Sequence, residues 1–581
     1  MEFNNNINLN NEEYISYLVK YTGNFDKNLV LNKDTNDVVI FPITGSNAVI
    51  YVLGNLIKNK DNTIEIREVF NSYFKTDLFK IIYVLPPEIY TLEQVSAIQA
   101  SNVGSLQSDV ALNLKGDGVV IGIIDTGIDY LSNEFKDSNG NTRINEIWDQ
   151  SSGFKYINGQ AILGEIYKSD RINEAIKAHS EGKNPYEIVP SKDDIGHGTN
   201  MAGIVGAAGY NPNIKGMAPN CEFVIVKMNP SEFIKEQFDI KMHPYNVTSI
   251  FLALEYLQRY ALLNNKPLVI LLPLGTNSGN HKGNNMLDSY ISSISNNVGI
   301  VIVTGTGNEG VEDNHTSGII KNKGDEGSIE LLIEEREKLI PVQLWMGPPN
   351  IMEINIISPS GVESGYIPSI LNISEKYSFV FEETQIHVYY SIPEEYTGDQ
   401  LIRVYFQDIQ PGIWKINVKL KLGKDAEYNA WISQTGLTLS KNRFISTNQY
   451  GTITTPGDSV DTVTVAAYNQ NNDNLLAYSG VAFRDRPIID FAAGGYNTIT
   501  VGINNSIDVI SGTSLSAAIG AGACALLFQW GIINKNFPNM YSRTLKTLLN
   551  RGVRRRAGDI YPSPQLGNGI LDLYKVFQNM S

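Results

Sequence analysis

The spacing of apolar positions along this chain changes several times. Residues 1 to about 95 alternate short β-rich runs (DVVIFPI, NAVIYVL, NTIEIREVF, FKIIYVLP) with helix-like pieces such as NEEYISYLVKY. That texture predicts a small α+β unit, and Pro86-Pro87 punctuates its end. QVSAIQASNVGSLQSDVALNLKGDG then reads as a linker followed by a short helix. From Gly118 the apolar runs become continuous: VVIGIIDTG, CEFVIVKM, PLVILLPLG and GIVIVTGTGNEG are strands, most of them ending in Gly-bearing turns. Between them HGTNMAGIVGAAG is a helix of small residues and SIFLALEYLQRYALL an amphipathic one. Buried strands alternating with helices indicate an α/β domain with a doubly wound parallel sheet. Its polar residues fall at strand C-termini, where open α/β sheets place their ligands.

Between about 316 and 440 the helical pattern disappears. GSIELLIEE, VQLWMG, MEINIIS, SFVFEE, IHVYYSI, LIRVYFQDI, IWKINVKLKL and AEYNAWIS alternate apolar with polar residues and are spaced by turn residues. That spacing predicts an antiparallel β-sandwich inserted into the α/β domain. The α/β texture resumes with VDTVTVAAY, IIDFAAGG and SGTSLSAAIGAGACALLFQW.

Composition narrows the classes. At 581 residues, 42% hydrophobic and 18% charged, the chain has material for two or three globular domains. A formal net charge of −15 argues against a nucleic-acid or anionic-membrane partner. Cys221 and Cys524 cannot build a disulfide framework, and their apolar surroundings predict buried free thiols. MEFNNNINLNNEEY lacks the basic start and apolar stretch of a signal peptide, and no run approaches 18 apolar residues. The expectation is synthesis in the cytosol with no membrane span.

Three segments carry candidate chemistry. Asp125 closes a buried strand in IIDTGID, His197 opens a small-residue helix in DDIGHGTNMAG, and Ser514 opens another in SGTSLSAA. Singly, each has a plain structural explanation: an Asx-type turn, a capping or core histidine, an N-cap serine. Together they make sense as a triad. A serine hydroxyl is inert until an imidazole takes its proton, and the imidazole needs a buried carboxylate to hold its tautomer. Asp, His, Ser is one of the known chain orders. Asn308, between glycines in VTGTGNEG, could aim a side-chain amide at the oxyanion, with the Ser514 backbone N–H as second donor.

DTGID, HGTNMAG, GTGNEG and SGTSLSAA resemble the Asp, His, Asn and Ser boxes of the subtilisin-like serine proteases, the subtilases, and PQLGNGILD resembles that family's C-terminal helix start. The resemblance implies Asp125 as orienter, His197 as general base and acid, Ser514 as nucleophile and Asn308 as oxyanion donor. PLGTNSG resembles the family's substrate-binding strand, which makes Pro273, Leu274, Gly275 and Thr276, together with Gly305, substrate-binding candidates. The backbone of Leu274 to Thr276 would pair with an extended peptide. Two residues depart from the pattern. Ala518 stands where a proline is common, and Pro273 where a serine is usual; neither change removes a catalytic atom.

The resemblance divides the chain into a prodomain at 1–96, a catalytic domain at 97–315 and 441–581, and an inserted sandwich or jelly roll at 316–440. Asp125 and His197 are 72 positions apart, more than in compact subtilases, and the excess maps to a polar insertion near 150–190. A long N-terminal region with a β insertion after Asn308 resembles the clostridial Csp germination proteases. That similarity implies autoprocessing of the prodomain near 94–100, with Gln94 and Gln99 as candidate residues before the cut. It also implies a spore cortex-lytic hydrolase zymogen as substrate, other Csp-type proteins as possible partners, and packaging in the spore. The alternatives are a silent subtilase-fold sensor or scaffold and a general intracellular subtilase. No cofactor is expected, and no dense carboxylate loop marks a metal site.

Overall fold

Strands Val120–Asp125, Leu268–Leu271 and Ile300–Gly305 lie side by side and parallel at the centre of an 11-stranded sheet. They belong to a computed structural model that describes residues 14–23, 37–57, 63–73, 79–85, 88–92, 98–109, 112–157, 160–370 and 374–580. Glu222–Lys227 continues the parallel sheet on one side, Val463–Asn469 and Phe491–Gly494 on the other. The central strands are apolar throughout because both faces are covered. Ile121, Ile123, Val269, Leu271, Val301 and Val303 pack on the side of helices His197–Gly206 and Thr513–Phe528. Val120, Ile124, Leu268, Ile270, Ile300 and Ile302 pack on the side of Val247–Asn264 and Met286–Ser295. After Glu222–Lys227 the chain crosses to the opposite side of Val120–Asp125. The sheet therefore has its topological switch point at the strand that carries Asp125. This is a doubly wound α/β fold, with further antiparallel sheets.

Helix Thr513–Phe528 is the axle of the domain. The continuous helical run Thr513–Ile533 is long and apolar enough to cross a membrane, yet 83% of its apolar 18-residue window is buried inside the protein. Glycine and alanine dominate it because neighbours approach closely: a Cβ at Gly522 would sit 2.2 Å from the Met217 Cβ. Cys221 and Cys524 are both free and buried. The polar stretch near 150–190 forms a long antiparallel hairpin, Ile144–Ile157 with Gln160–Lys168, running into helix Ser169–Ser180.

The N-terminal unit is a four-stranded antiparallel sheet in the order Val38–Pro42, Asn47–Leu53, Tyr14–Thr22, Lys80–Leu85. Two of its elements exchange the roles expected from the sequence. NEEYISYLVKY supplies a strand, Tyr14–Thr22, and NTIEIREVF supplies a helix, Thr63–Ser72. In the strand, Ile15, Tyr17, Val19 and Tyr21 face one core while Leu18 faces another, a period-two pattern between two covered faces. In the helix, Ile66 and Phe70 are buried one turn apart. Short apolar runs are ambiguous between the two periods, and tertiary contact decided both. The sheet docks on the α/β domain through a buried contact of 2.7 Å between Ser16 Oγ and Thr248 Oγ1.

The antiparallel strands of the inserted sandwich begin at His315 and end with Arg443–Phe444, slightly wider than 316–440 at both ends. The extra residues belong to its first strand and to a two-residue strand, where apolar alternation is weak. Sheets of six and five strands enclose a core that includes Trp414, Phe406 and Leu331.

Gly522→Ala tests the axle helix. Alanine gains roughly 0.5–1 kcal/mol of helix propensity, but overpacking costs about 1–3 kcal/mol, so a net fall in melting temperature is expected by differential scanning fluorimetry.

Candidate active site

Four loops converge at the C-terminal edge of the central sheet. Val120–Asp125 ends on a carboxylate that is fully buried. Helix His197–Gly206 begins on an imidazole that is 2% exposed. His197 Nδ1 lies 2.9 Å from Asp125 Oδ1 and 2.8 Å from Oδ2, and the Thr126 N–H donates to Oδ1 at 2.7 Å. A carboxylate only accepts, so Nδ1 carries the proton and Nε2 is the basic nitrogen.

The helix start is built to deliver that ring. Asp193 accepts from the backbone N–H groups of Gly196 at 2.7 Å and Thr199 at 2.9 Å, and from the Thr199 hydroxyl at 2.7 Å. It thereby caps donors that the first turn leaves unpaired. The Gly198 N–H donates to Thr126 Oγ1 at 2.9 Å. Gly198 is required by close approach: a Cβ there would lie 2.2 Å from the Gly127 carbonyl oxygen.

On the other side, Ser514 lies in the first turn of helix Thr513–Phe528 and is fully buried. Its hydroxyl donates to the Pro273 carbonyl at 3.4 Å. Strand Ile300–Gly305 ends against this turn, with Gly305 facing Thr513. The Thr513 N–H donates to Asn308 Oδ1 at 3.2 Å. That bond fixes the amide's orientation, because an N–H can face only the oxygen, and Nδ2 is left as the donor end. Ala518 is buried within the helix.

The substrate-binding candidates form one wall of a cleft. Leu274–Gly275 is a short strand, and Thr276 exchanges backbone hydrogen bonds of 3.0 and 2.9 Å with Thr455. Segment Ile89–Leu92, which follows the N-terminal unit, lies on this edge as the middle strand of three. Thr91 is opposite Gly275 and Leu92 opposite Leu274, while Tyr90 and Ile89 pair with Tyr245 and Asn246 on the far wall. Of the proposed cut positions, Gln94 lies outside the described residues. Gln99 opens a 3₁₀ turn, Gln99–Ser101, well past the residue opposite Leu274.

Several residues of the cleft carried no readable signal. Tyr245–Asn246 is a two-residue strand before an amphipathic helix. Burial, then the Asp125 and Asp193 charges, push the Tyr245 hydroxyl above its ordinary range, so it stays protonated. Gln434, from the inserted sandwich, donates to the Gly275 carbonyl at 3.2 Å. Next to Asn308, Glu309 accepts from the Thr435 N–H at 3.1 Å. Such contacts join residues more than a hundred positions apart, so no local motif can announce them. Beyond Glu309, residues Asp313, His315, Asn448 and Tyr450 help line a cavity of about 450 Å³.

A family model described as the subtilase family matches residues 116–329 and 440–569. The solved structure of the CspB protease of Clostridium perfringens is similar with a TM-score of 0.73 and 31% identity, covering 83% of this chain and 98% of that one. The subtilisin-like protease SBT3.5 of Arabidopsis thaliana is 31% identical over 154 residues, 24% of this chain. The chain spans only 19% of the length of that curated relative.

Gly198→Ala should push the histidine helix away from the strand carrying Asp125. Misplacing a reacting group by an ångström costs on the order of 100-fold, so labelling of Ser514 by a fluorophosphonate is expected to slow by about that factor while the circular dichroism spectrum is retained.

Proposed function

Since this chain belongs to the subtilase family, we propose that it is a serine endopeptidase in which Ser514 is the nucleophile, His197 the general base and acid, and Asp125 the group that orients the imidazole. In this reading Ser514 Oγ attacks the peptide carbonyl carbon as its proton passes to His197 Nε2. Asp125 stabilises the imidazolium without taking the proton. The tetrahedral oxyanion is received by Asn308 Nδ2 and the Ser514 backbone N–H. His197 then returns the proton to the leaving amine, an acyl-enzyme remains on Ser514, and water hydrolyses it by the same route. The substrate enters as an added strand on Leu274–Thr276, passing Gly305.

The observation that carries this reading is the chain's own segment Ile89–Leu92. It is paired in register with Leu274–Gly275, where the next residue of the edge, Pro273, accepts from the Ser514 hydroxyl. A prodomain whose tail lies this way is both first substrate and plug. We put the autoprocessing cut near 94–100, with Gln94 and Gln99 as the candidate residues before it.

The similarity to the CspB protease, over most of both chains, supports a finer proposal. The protein would activate a spore cortex-lytic hydrolase zymogen by limited proteolysis, act within the spore, and have its own prodomain and other Csp-type proteins as partners. The inserted sandwich favours a restricted substrate over broad intracellular turnover, because it adds wall to one side of the cleft.

Purified wild type is expected to run as two fragments and Ser514→Ala as one full-length chain. N-terminal sequencing of the larger wild-type fragment should place the new terminus shortly beyond residue 92. A wild type that never splits counts against autoprocessing. Asp125→Asn should lower the rate about 10⁴-fold, and Asn308→Leu roughly 10²–10³-fold. A cortex-lytic zymogen should be cut at one site while casein is left largely intact; rapid degradation of casein would favour the general protease.

A further inference from the structure

The inserted sandwich reaches the substrate edge at one strand end. Gln434, just past strand Lys424–Ile432, is 2% exposed and spans two residues of that edge. Its Nε2 donates to the Gly275 carbonyl at 3.2 Å, and its Oε1 accepts from the Asn277 N–H at 3.4 Å. A carbonyl only accepts and a backbone N–H only donates, so this orientation of the amide is fixed. Gly275 is the residue opposite Thr91, so Gln434 acts on the part of the edge that receives the added strand.

A second anchor stands immediately beyond. Asn277 Nδ2 donates to the Ile432 carbonyl at 3.2 Å, which ties the edge to the sandwich again. The His281 ring lies between two carbonyls, with Nδ1 2.6 Å from Ile453 O and Nε2 3.1 Å from Asn277 O. These flank the Thr276–Thr455 bridge on its two chains. The ring is stacked on the Trp431 indole of the sandwich at 4.2 Å and 11°, and His315 stacks on the other indole face at 4.5 Å and 14°. Burial pushes His281 below its ordinary range against the pull of Asp458 and the two carbonyls, and pushes His315 down to about 4. The indole N–H is used by the Gly451 carbonyl at 3.0 Å.

We propose that Gln434 is a positioning residue for the substrate edge, and that the inserted sandwich, through Gln434 and the His281–Trp431 stack, holds Leu274–Thr276 in the extended form an incoming peptide strand needs. This rests on the reading of Leu274–Thr276 as the substrate edge. A two-residue strand has too few bonds of its own to stay extended, and here a side chain supplies the missing partner.

The test uses full-length protein and two readouts. In the Ser514→Ala background, hydrogen–deuterium exchange of segments 88–92 and 273–277 is compared with and without Gln434→Leu, a swap of similar volume. Loss of the brace should speed exchange of both segments about tenfold, while the central strands stay protected. Unchanged exchange overturns the proposal without touching the triad. In the processed enzyme, Gln434→Leu should raise KM for an extended tetrapeptide amide about tenfold with kcat retained, and leave hydrolysis of a single-residue ester unchanged. An equal loss on both substrates shows general damage and overturns the proposal. His281→Asn, which suits the left-handed backbone at that position (φ 54), should give the same split more weakly. If the wild type hydrolyses neither substrate, the endopeptidase reading fails, and the exchange experiment alone decides whether Gln434 braces the edge.

Discussion

The buried hydrogen bond between the Asp125 carboxylate and His197 Nδ1 is the contact on which the rest of the site depends. Removing a carboxylate from water is costly unless donors replace the lost hydration. Here Thr126 N–H and the imidazole supply them. Each supporting feature keeps those donors in place. Asp193 caps the histidine helix, and Gly198 lets that helix touch the strand end. A parallel sheet buried on both faces holds the strand itself. Because the sheet changes direction at this strand, loops from both halves meet beside Asp125, and the serine helix arrives from the distant end of the chain.

The cleft obeys a different constraint. Its walls, Tyr245–Asn246 and Leu274–Gly275, are strands of two residues each, too short to persist by backbone pairing alone. Neighbouring units stabilise them. Ile89–Leu92 fills the space between the walls, Thr455 pairs with Thr276, and the sandwich adds Gln434 and the stacked rings of His281, Trp431 and His315. The segment after the N-terminal unit and the sandwich thus act on the same strip of backbone. The segment pairs with the strip, and the sandwich holds its shape.

Much of this was legible locally. A strand end bearing Asp125, helix starts bearing His197 and Ser514, and a Gly-flanked Asn308 could be read because each depends on a few contiguous residues with a fixed local geometry. The swapped strand and helix of the N-terminal unit were not legible. YISYLVKYT and TIEIREVFNS both mix apolar and charged residues at short spacing, and only the faces covered on each decided between the two periods.

The sequence by itself determined the fold class, the inserted sandwich and the residue types of the reacting groups, because hydrophobic period and turn chemistry are properties of short windows. Tertiary structure alone decided which nitrogen of His197 is basic, which end of the Asn308 amide donates, and that Gln434 meets Gly275. Those facts are set by hydrogen-bond partners far away in sequence. A donor's direction exists only once its acceptor has been folded into place.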